Sequence, residues 1–416
     1  MSRIVVLALV MTLLTACGGG GGGSAPEATS VAGAPTSNTP SSQLGTSNVH
    51  PITVDAGPAN TGYNVNRLYT NVTICQPGSS TQCQTIEHVL VDSGSAGLRL
   101  LSSVMLPALN LNRQTASSGL PLLNCAQFVD NSFAWGPVAT ADIVLGGKTA
   151  SSVPIQIIAD PVYNSRAATC SVGGTAITTA AVLGANGIIG LGLFKEDCGS
   201  GCAAIANNGF YYTCTDGTCS AMSGVKTSLG QQVKNPVPLF ATDNNGVLID
   251  LPAVSSPGAT SLSGSLIFGI GTQSNNQFTS GAILTTSASG YITTVLGGRS
   301  LSSSFIDTGS NGLYFDSSTI PGCTGGIAGF YCPTSLITLS ATLRGANTVT
   351  APVSFSVDNA SALFVGGTRT VLPTLAGNIG DSNIFDWGLP FFYGRRVFIG
   401  IEGQSSTLGT GPLYAF

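Results

Sequence analysis

Two stretches of this chain read almost alike, and together they restrict its fold more than any other feature. The first is His88-Val89-Leu90-Val91-Asp92-Ser93-Gly94-Ser95-Ala96-Gly97-Leu98-Arg99-Leu100, and the second is Ser303-Ser304-Phe305-Ile306-Asp307-Thr308-Gly309-Ser310-Asn311-Gly312-Leu313-Tyr314-Phe315. Each is a short apolar run, then Asp-Ser/Thr-Gly-Ser, one variable residue, Gly-Leu, and a return to strand-like residues. In both, an acid ends a buried strand, where an unpaired charge costs several kcal/mol. The glycines let the chain turn sharply behind the acid, and the hydroxyls offer the carboxylate hydrogen bonds. One copy is a turn. Two copies, with Asp92 and Asp307 separated by 215 residues, imply a duplicated lobe whose acids meet on a pseudo-twofold axis.

The N-terminus has a different character. Residues 1–16 form a secretion signal: Arg3, an apolar run from Ile4 to Leu14, then small residues. The run is too short for a permanent membrane span. It ends Leu14-Thr15-Ala16-Cys17, which resembles the lipobox of bacterial lipoproteins. That resemblance makes Cys17 the lipidated first residue of the mature protein. Gly18 in the next position, rather than Asp, then implies sorting to the outer membrane. The competing reading is an ordinary cleavage site with an incidental cysteine. Residues 17–60, rich in Gly, Ser, Thr and Pro, are expected to form a flexible, disordered stalk, which would include His50.

The remainder, roughly 350 residues, is long enough for one large two-lobed body or two domains. Only 8% of the chain is charged, the net charge is −4, and no basic run occurs, which argues against a nucleic-acid partner. Past the signal, no apolar run reaches the length of a membrane helix. Short Val/Ile/Thr/Phe runs punctuated by Gly, Asn and Pro predict a mainly all-β protein. Besides Cys17 there are Cys75, Cys83, Cys125, Cys170, Cys198, Cys202, Cys214, Cys219, Cys323 and Cys332. An even count in an exported chain reads as disulfides. Cys75/Cys83 and Cys323/Cys332 look like local loop staples. Cys198/Cys202 and Cys214/Cys219 either close locally or cross-pair, and Cys125 with Cys170 is the couple left over. A zinc site made from the central four cysteines is the competing use.

From Leu68 to Ile74, through a turn at Pro77-Gly78, to Thr85–Val91, the chain reads as a β-hairpin whose second strand delivers Asp92. Here it resembles the pepsin-like aspartic peptidases, whose first lobe opens with a similar hairpin feeding an Asp-Thr-Gly-Ser turn. The likeness continues in order. Ser132–Gly136 to Ala141–Gly147 resembles the strand after the family's flap, and Ala185–Gly192 its strand closing the first lobe. Pro238–Ala241 and Gly264–Gly269 resemble the start of the second lobe; Trp387–Phe392 and Arg396–Ile401 resemble its last strands. The resemblance implies a bilobal pepsin-like aspartic protease fold, with an N-terminal lobe at 61–240 and a C-terminal lobe at 241–416. Three departures mark a divergent branch of bacterial lipoproteins. No tyrosine lies between Cys125 and Gly136, so Phe128 is the nearest flap aromatic, one residue out of step. The family's final Leu-Gly-Asp motif reads Trp387-Gly388-Leu389-Pro390. Inserts rich in cysteine and glycine follow Phe194.

Two carboxylates about 3 Å apart cannot both ionise cheaply, so such a pair shares one proton over a working pH range. The resemblance gives Asp92 and Asp307 this role, leaving open which is protonated. It puts Ser95 and Ser310 on the outer carboxylate oxygens, Ser93 and Thr308 in a brace between lobes, and Gly94 and Gly309 as backbone donors. The plain reading of each hydroxyl is a turn-forming residue. Other chemistries fit less well. His50 and His88 are the only histidines, and His88 reads as a strand residue. Ser93-Gly94-Ser95-Ala96-Gly97 lacks the first glycine of a serine-hydrolase elbow. The segment from Gly187 to Gly192 lacks the Lys-Ser/Thr of a phosphate loop. Trp135 and Trp387 read as core; Asp55, Asp130, Asp142, Asp316, Asp381 and Asp386 read as turn or surface acids. The expectation is a monomeric, membrane-anchored aspartic endopeptidase acting on extended peptide or protein substrate, with no metal and no cofactor. The alternatives are a non-catalytic surface or periplasmic lipoprotein binding peptides or a protein partner in the same cleft, and, more remotely, an envelope-structural protein.

Overall fold

The computed structural model describes residues 48–170, 173–215 and 219–416. The signal, Cys17 and most of the expected stalk lie outside the described residues. The stalk was expected to reach residue 60, and here the structure corrects it. Val49–Val54 is a strand, β1, paired antiparallel with Leu262–Ile267, and Ile52 and Val54 on it are fully buried. The alternation of buried and exposed residues along it is that of a half-buried strand. His50 is held there as well: its Nδ1 accepts from Gly146 N at 3.0 Å, so Nε2 donates to Asn71 O at 2.8 Å. Burial holds its pKa below the usual histidine value, against the Asn71 bond.

The first half continues with β2 (Leu68–Cys75), β3 (Cys83–Asp92), β4 (Ala96–Leu101), β5 (Leu122–Gln127), β6 (Ser132–Leu145), β7 (Lys148–Ile158) and β8 (Gly187–Leu191). Pairing runs β2–β3–β8–β4–β7–β6 and returns to β2, closing a ring. Val72, Ile74, Val89, Val91, Leu98 and Ile189 bury their side chains in one core. β5 and the start of β6 project as a hairpin with its tip at residues 128–131.

The second half supplies β9 (Gly246–Leu251), β10 (Leu262–Phe268), β11 (Ile283–Thr285), β12 (Ile292–Leu296), β13 (Arg299–Ile306), β14 (Leu313–Phe315), β15 (Ile337–Arg344), β16 (Thr350–Val357), β17 (Phe385–Trp387), β18 (Arg395–Gly400) and β19 (Leu413–Ala415). β16–β15–β12–β13–β17–β14 form one sheet. Its underside is aromatic: Phe385 stacks on Trp387 at 3.9 Å between ring centres, and Trp387 Nε1 donates to Thr294 Oγ1 at 2.9 Å. An antiparallel run, β1–β10–β9–β18–β19–β11, joined to the first half through β1 and β2, ties the first described strand to the last.

One three-strand unit occurs twice. In the first half β8 lies between β3, parallel to it, and β4, antiparallel to it. In the second half β17 lies between β13 and β14 with the same two senses. β3 ends on Asp92, and β13 ends one residue before Asp307. The repeat visible in the sequence is therefore also a repeat of topology.

The ten cysteines other than Cys17 form Cys75–Cys83, Cys125–Cys170, Cys198–Cys202, Cys214–Cys219 and Cys323–Cys332. The central four close locally as disulfides, which leaves no thiolate among them for zinc. Cys125–Cys170 ties the projecting hairpin to the segment after β7. Among the described residues, no helix is long and apolar enough to cross a membrane.

Candidate active site

Strand alternation decides where the two acids point. On β3, Val89 and Val91 enter the main core while Leu90 packs in a second cluster on the other face, the face of Asp92. On β13, Ile306 enters the core, so Phe305 and Asp307 share the opposite face. Both acids are fully buried.

The turns behind them interlock. Gly94 N donates to Asp92 Oδ1 at 2.8 Å and to Asp307 Oδ1 at 2.9 Å, so a single amide serves both inner oxygens. Gly309 N adds a bond to Asp307 Oδ1 at 2.7 Å. On the outer oxygens, Ser95 Oγ donates to Asp92 Oδ2 at 2.5 Å and Ser310 Oγ to Asp307 Oδ2 at 2.9 Å. Between the halves, Thr308 N donates to Ser93 Oγ at 2.9 Å and Ser93 N to Thr308 Oγ1 at 3.0 Å. Thr308 Oγ1 passes its own proton to Val91 O at 2.7 Å, while Ser93 Oγ reaches Ile306 O at a long 3.4 Å. All eight residues singled out around the Asp-Ser/Thr-Gly-Ser repeats thus meet in one place. Glycine is needed there, because a Cβ on Gly309 would lie 2.7 Å from Asp92 Oδ1.

Burial pushes Asp92 well above the ordinary carboxyl range, and the charge of Asp307 adds to it; the Ser95 and Gly94 bonds oppose the rise. Burial raises Asp307 as well, but hydrogen bonds from Asp92, Gly309, Ser310 and Gly94 oppose it. Asp307 therefore has the larger set of donors. The extra Gly309 amide favours the charge of the pair on Asp307 and the shared proton on Asp92.

A third acid lies beside them, and the expectation for it was wrong. Asp386, read as a turn or surface acid, is 2% exposed on β17, facing Phe305 of β13 and Tyr314 of β14. Its neighbours Phe385 and Trp387 enter the core, so Asp386 turns to the face of Asp307. Burial pushes its carboxyl far up, with the charges of Asp307 and Asp92 adding to this and Ser310 opposing. The signal that finds it is a superposition of the two halves: Ile188-Ile189-Gly190 occupies in one what Asp386-Trp387-Gly388 occupies in the other. Both glycines permit close approach. A Cβ on Gly190 would lie 2.6 Å from Ser95 Oγ, and one on Gly388 would lie 2.1 Å from Gly312 O.

Other expected residues fall outside this cluster. Phe128, at the hairpin tip, is 5% exposed and packs with Tyr69, Leu90, Ala126 and Ala134. With Val129 and Asn131 it lines a cavity of about 430 Å³ that faces Ile379, Asp381 and Ile384 of the second half. A smaller pocket, about 30 Å³, opens at Ser93 and Gly94 between Phe194, Tyr291, Phe305 and Tyr414. His88 Nε2 lies 3.4 Å from Asp55 Oδ1 rather than near the acids. Trp135 is buried and donates from Nε1 to Tyr163 O at 3.0 Å.

Comparison with curated proteins gave no match. Residues 45–416 match the family described as "Protein of unknown function (DUF3443)", and the chain belongs to that family.

Proposed function

We propose that this chain is an aspartic endopeptidase of bilobal, pepsin-like architecture, held at the bacterial outer membrane by a lipid on Cys17 and cleaving extended peptides. The observation that carries this reading is the Gly94 amide, which bonds the inner oxygens of two buried acids drawn from distant halves of the chain. Burying a carboxyl pair is costly, and buried acids that perturb one another concentrate at functional sites.

In the proposed reaction a water held between the acids is the nucleophile. Asp307, ionised, takes one proton from it as its oxygen attacks the scissile carbonyl carbon. Asp92 gives its proton to the carbonyl oxygen, so the charge developing there meets a donor already in place. Collapse of the diol breaks the C–N bond: Asp307 protonates the leaving nitrogen, and Asp92 recovers a proton from a diol hydroxyl. The pair ends as it began. Ser95 and Ser310 hold the outer oxygens and the Ser93/Thr308 brace holds the halves in register, so the carboxyls need little reorganisation between steps. An extended peptide suits the space under the β5–β6 hairpin, where backbone pairing gives affinity.

One observation favours the second reading, a non-catalytic lipoprotein that binds peptides or a protein partner in this cleft. The hairpin tip reads Gln127-Phe128-Val129, with no tyrosine, and Phe128 packs into a core cluster. A peptide containing statine, whose hydroxyl mimics the tetrahedral intermediate, separates the two when its binding is followed by calorimetry beside product analysis of ordinary peptides. The peptidase reading expects tight statine binding and cleavage products in acid. Binding without any product from about pH 3 to 8 would overturn it in favour of the second.

A further inference from the structure

The second half carries an acid where the first carries an aliphatic side chain. Ile188 of β8 lies beside Leu90, two residues before Asp92; Asp386 of β17 lies beside Phe305, two residues before Asp307. Ile188 packs fully buried in a cluster with Leu90, Ala126 and Phe128. The first copy of the unit thus closes with an apolar residue at this position. Asp386 Oδ1 is nevertheless buried and has no hydrogen-bond partner. Its strand neighbours are Phe305 of β13 and Tyr314 of β14, and the polar and charged groups that interact with it are Ser310, Asp307, Asp92 and the two tyrosines, Tyr314 and Tyr414 of β19; Arg67 and Asp130 act on Tyr314. Ser310 has one hydroxyl proton, and it goes to Asp307 Oδ2, so its oxygen is left to accept.

We propose that Asp386 is a third carboxyl of the site and a positioning residue: in its acid form it donates to Ser310 Oγ, which fixes the Ser310 proton on Asp307 Oδ2. Its effect on the reaction rests on the peptidase reading; its protonation does not. Once ionised, Asp386 only accepts, competes with Asp307 for the single Ser310 proton, and places a second negative charge beside the pair. Because its folded pKa is raised, the folded chain keeps this proton where the unfolded chain has released it. Stability on this account falls as pH rises from the ordinary aspartate range through the folded value.

Urea denaturation of the full chain from about pH 4 to 8, disulfides intact, compares wild type with Asp386→Asn, which donates but cannot ionise. The midpoint of the Asn variant is expected to gain steadily on wild type as pH rises. Parallel midpoints would overturn the proposal, whether or not the protein cleaves peptides. In cleavage assays Asp386→Leu, which supplies an apolar side chain like that of the first half, is expected to fold and to lose about tenfold or more in kcat at unchanged KM. Asp386→Asn is expected to recover most of that loss, and equal losses in the two variants would overturn the positioning role. Absence of cleavage in wild type would count against the peptidase reading, and the denaturation series would still decide the state of Asp386.

Discussion

Replacing Thr308 with valine removes one oxygen and keeps the side chain's shape, which makes it a clean test of the brace between the halves. Thr308 is fully buried. Its Oγ1 accepts from Ser93 N at 3.0 Å and donates to Val91 O at 2.7 Å. Valine leaves Ser93 N buried and unpaired and takes a donor away from Val91 O, at about 1–3 kcal/mol each, so the expected loss is about 2–6 kcal/mol. No cavity term is added, because a methyl group takes the place of the hydroxyl. Ser93→Ala serves as the graded control. It orphans Thr308 N, but Ile306 O loses only a 3.4 Å contact, so about 1–3 kcal/mol is expected. Urea unfolding of the oxidised protein, followed by the fluorescence of Trp135 and Trp387, measures both by linear extrapolation. A Thr308→Val variant within about 0.5 kcal/mol of wild type, or one less damaged than Ser93→Ala, would refute the reasoning.

Three other outcomes follow from the geometry. Burial pushes Asp243 up, but hydrogen bonds from Lys148, Thr272 and Gln273 outweigh it and hold the carboxyl below its ordinary range. A depressed carboxyl contributes stability above its unfolded pKa and loses it as pH falls through the folded one. Asp243→Asn should therefore cost about 3 kcal/mol near neutrality and progressively less toward about pH 3, read by denaturation at each pH. Removing Cys125–Cys170, which spans 45 residues, should cost about 4 kcal/mol, against about 2 for Cys198–Cys202, which spans 4, with paired Cys→Ala variants compared in urea. Gly388→Ala should abolish statine binding, because its Cβ would lie 2.1 Å from a backbone oxygen; the same change at Gly230, where the nearest atom is 4.0 Å away, should leave binding intact.

What was legible in the sequence is what short-range chemistry decides. The Asp-Ser/Thr-Gly-Ser turns announce their hydrogen bonds, because Ser95 and Ser310 each reach an acid three residues back. Spacing could not decide between local closure and cross-pairing of Cys198, Cys202, Cys214 and Cys219, since both loops are short enough for either. β1 was hidden because its main partner, Leu262–Ile267, lies more than two hundred residues later, while its pairing with Leu68 and Tyr69 covers only its last two residues; its single proline and polar flank also resemble the stretch before it. Asp386 was hidden for the same kind of reason. Between Asn383 and Trp387 an acid reads as a turn residue, and only the insertion of β17 between β13 and β14 buries it. Phe128 was found as the nearest aromatic, but alternation along the hairpin decides which way it faces, and it faces a core cluster.

Cleavage of an unstructured peptide by the full chain, with Asp92 or Asp307 changed singly to Asn, bears most directly on the account. The wild type is expected to show a bell-shaped dependence on pH, and each variant to lose about a thousandfold or more at the optimum. A variant that cleaves as fast as wild type would contradict it, because the two acids would then not act as one pair.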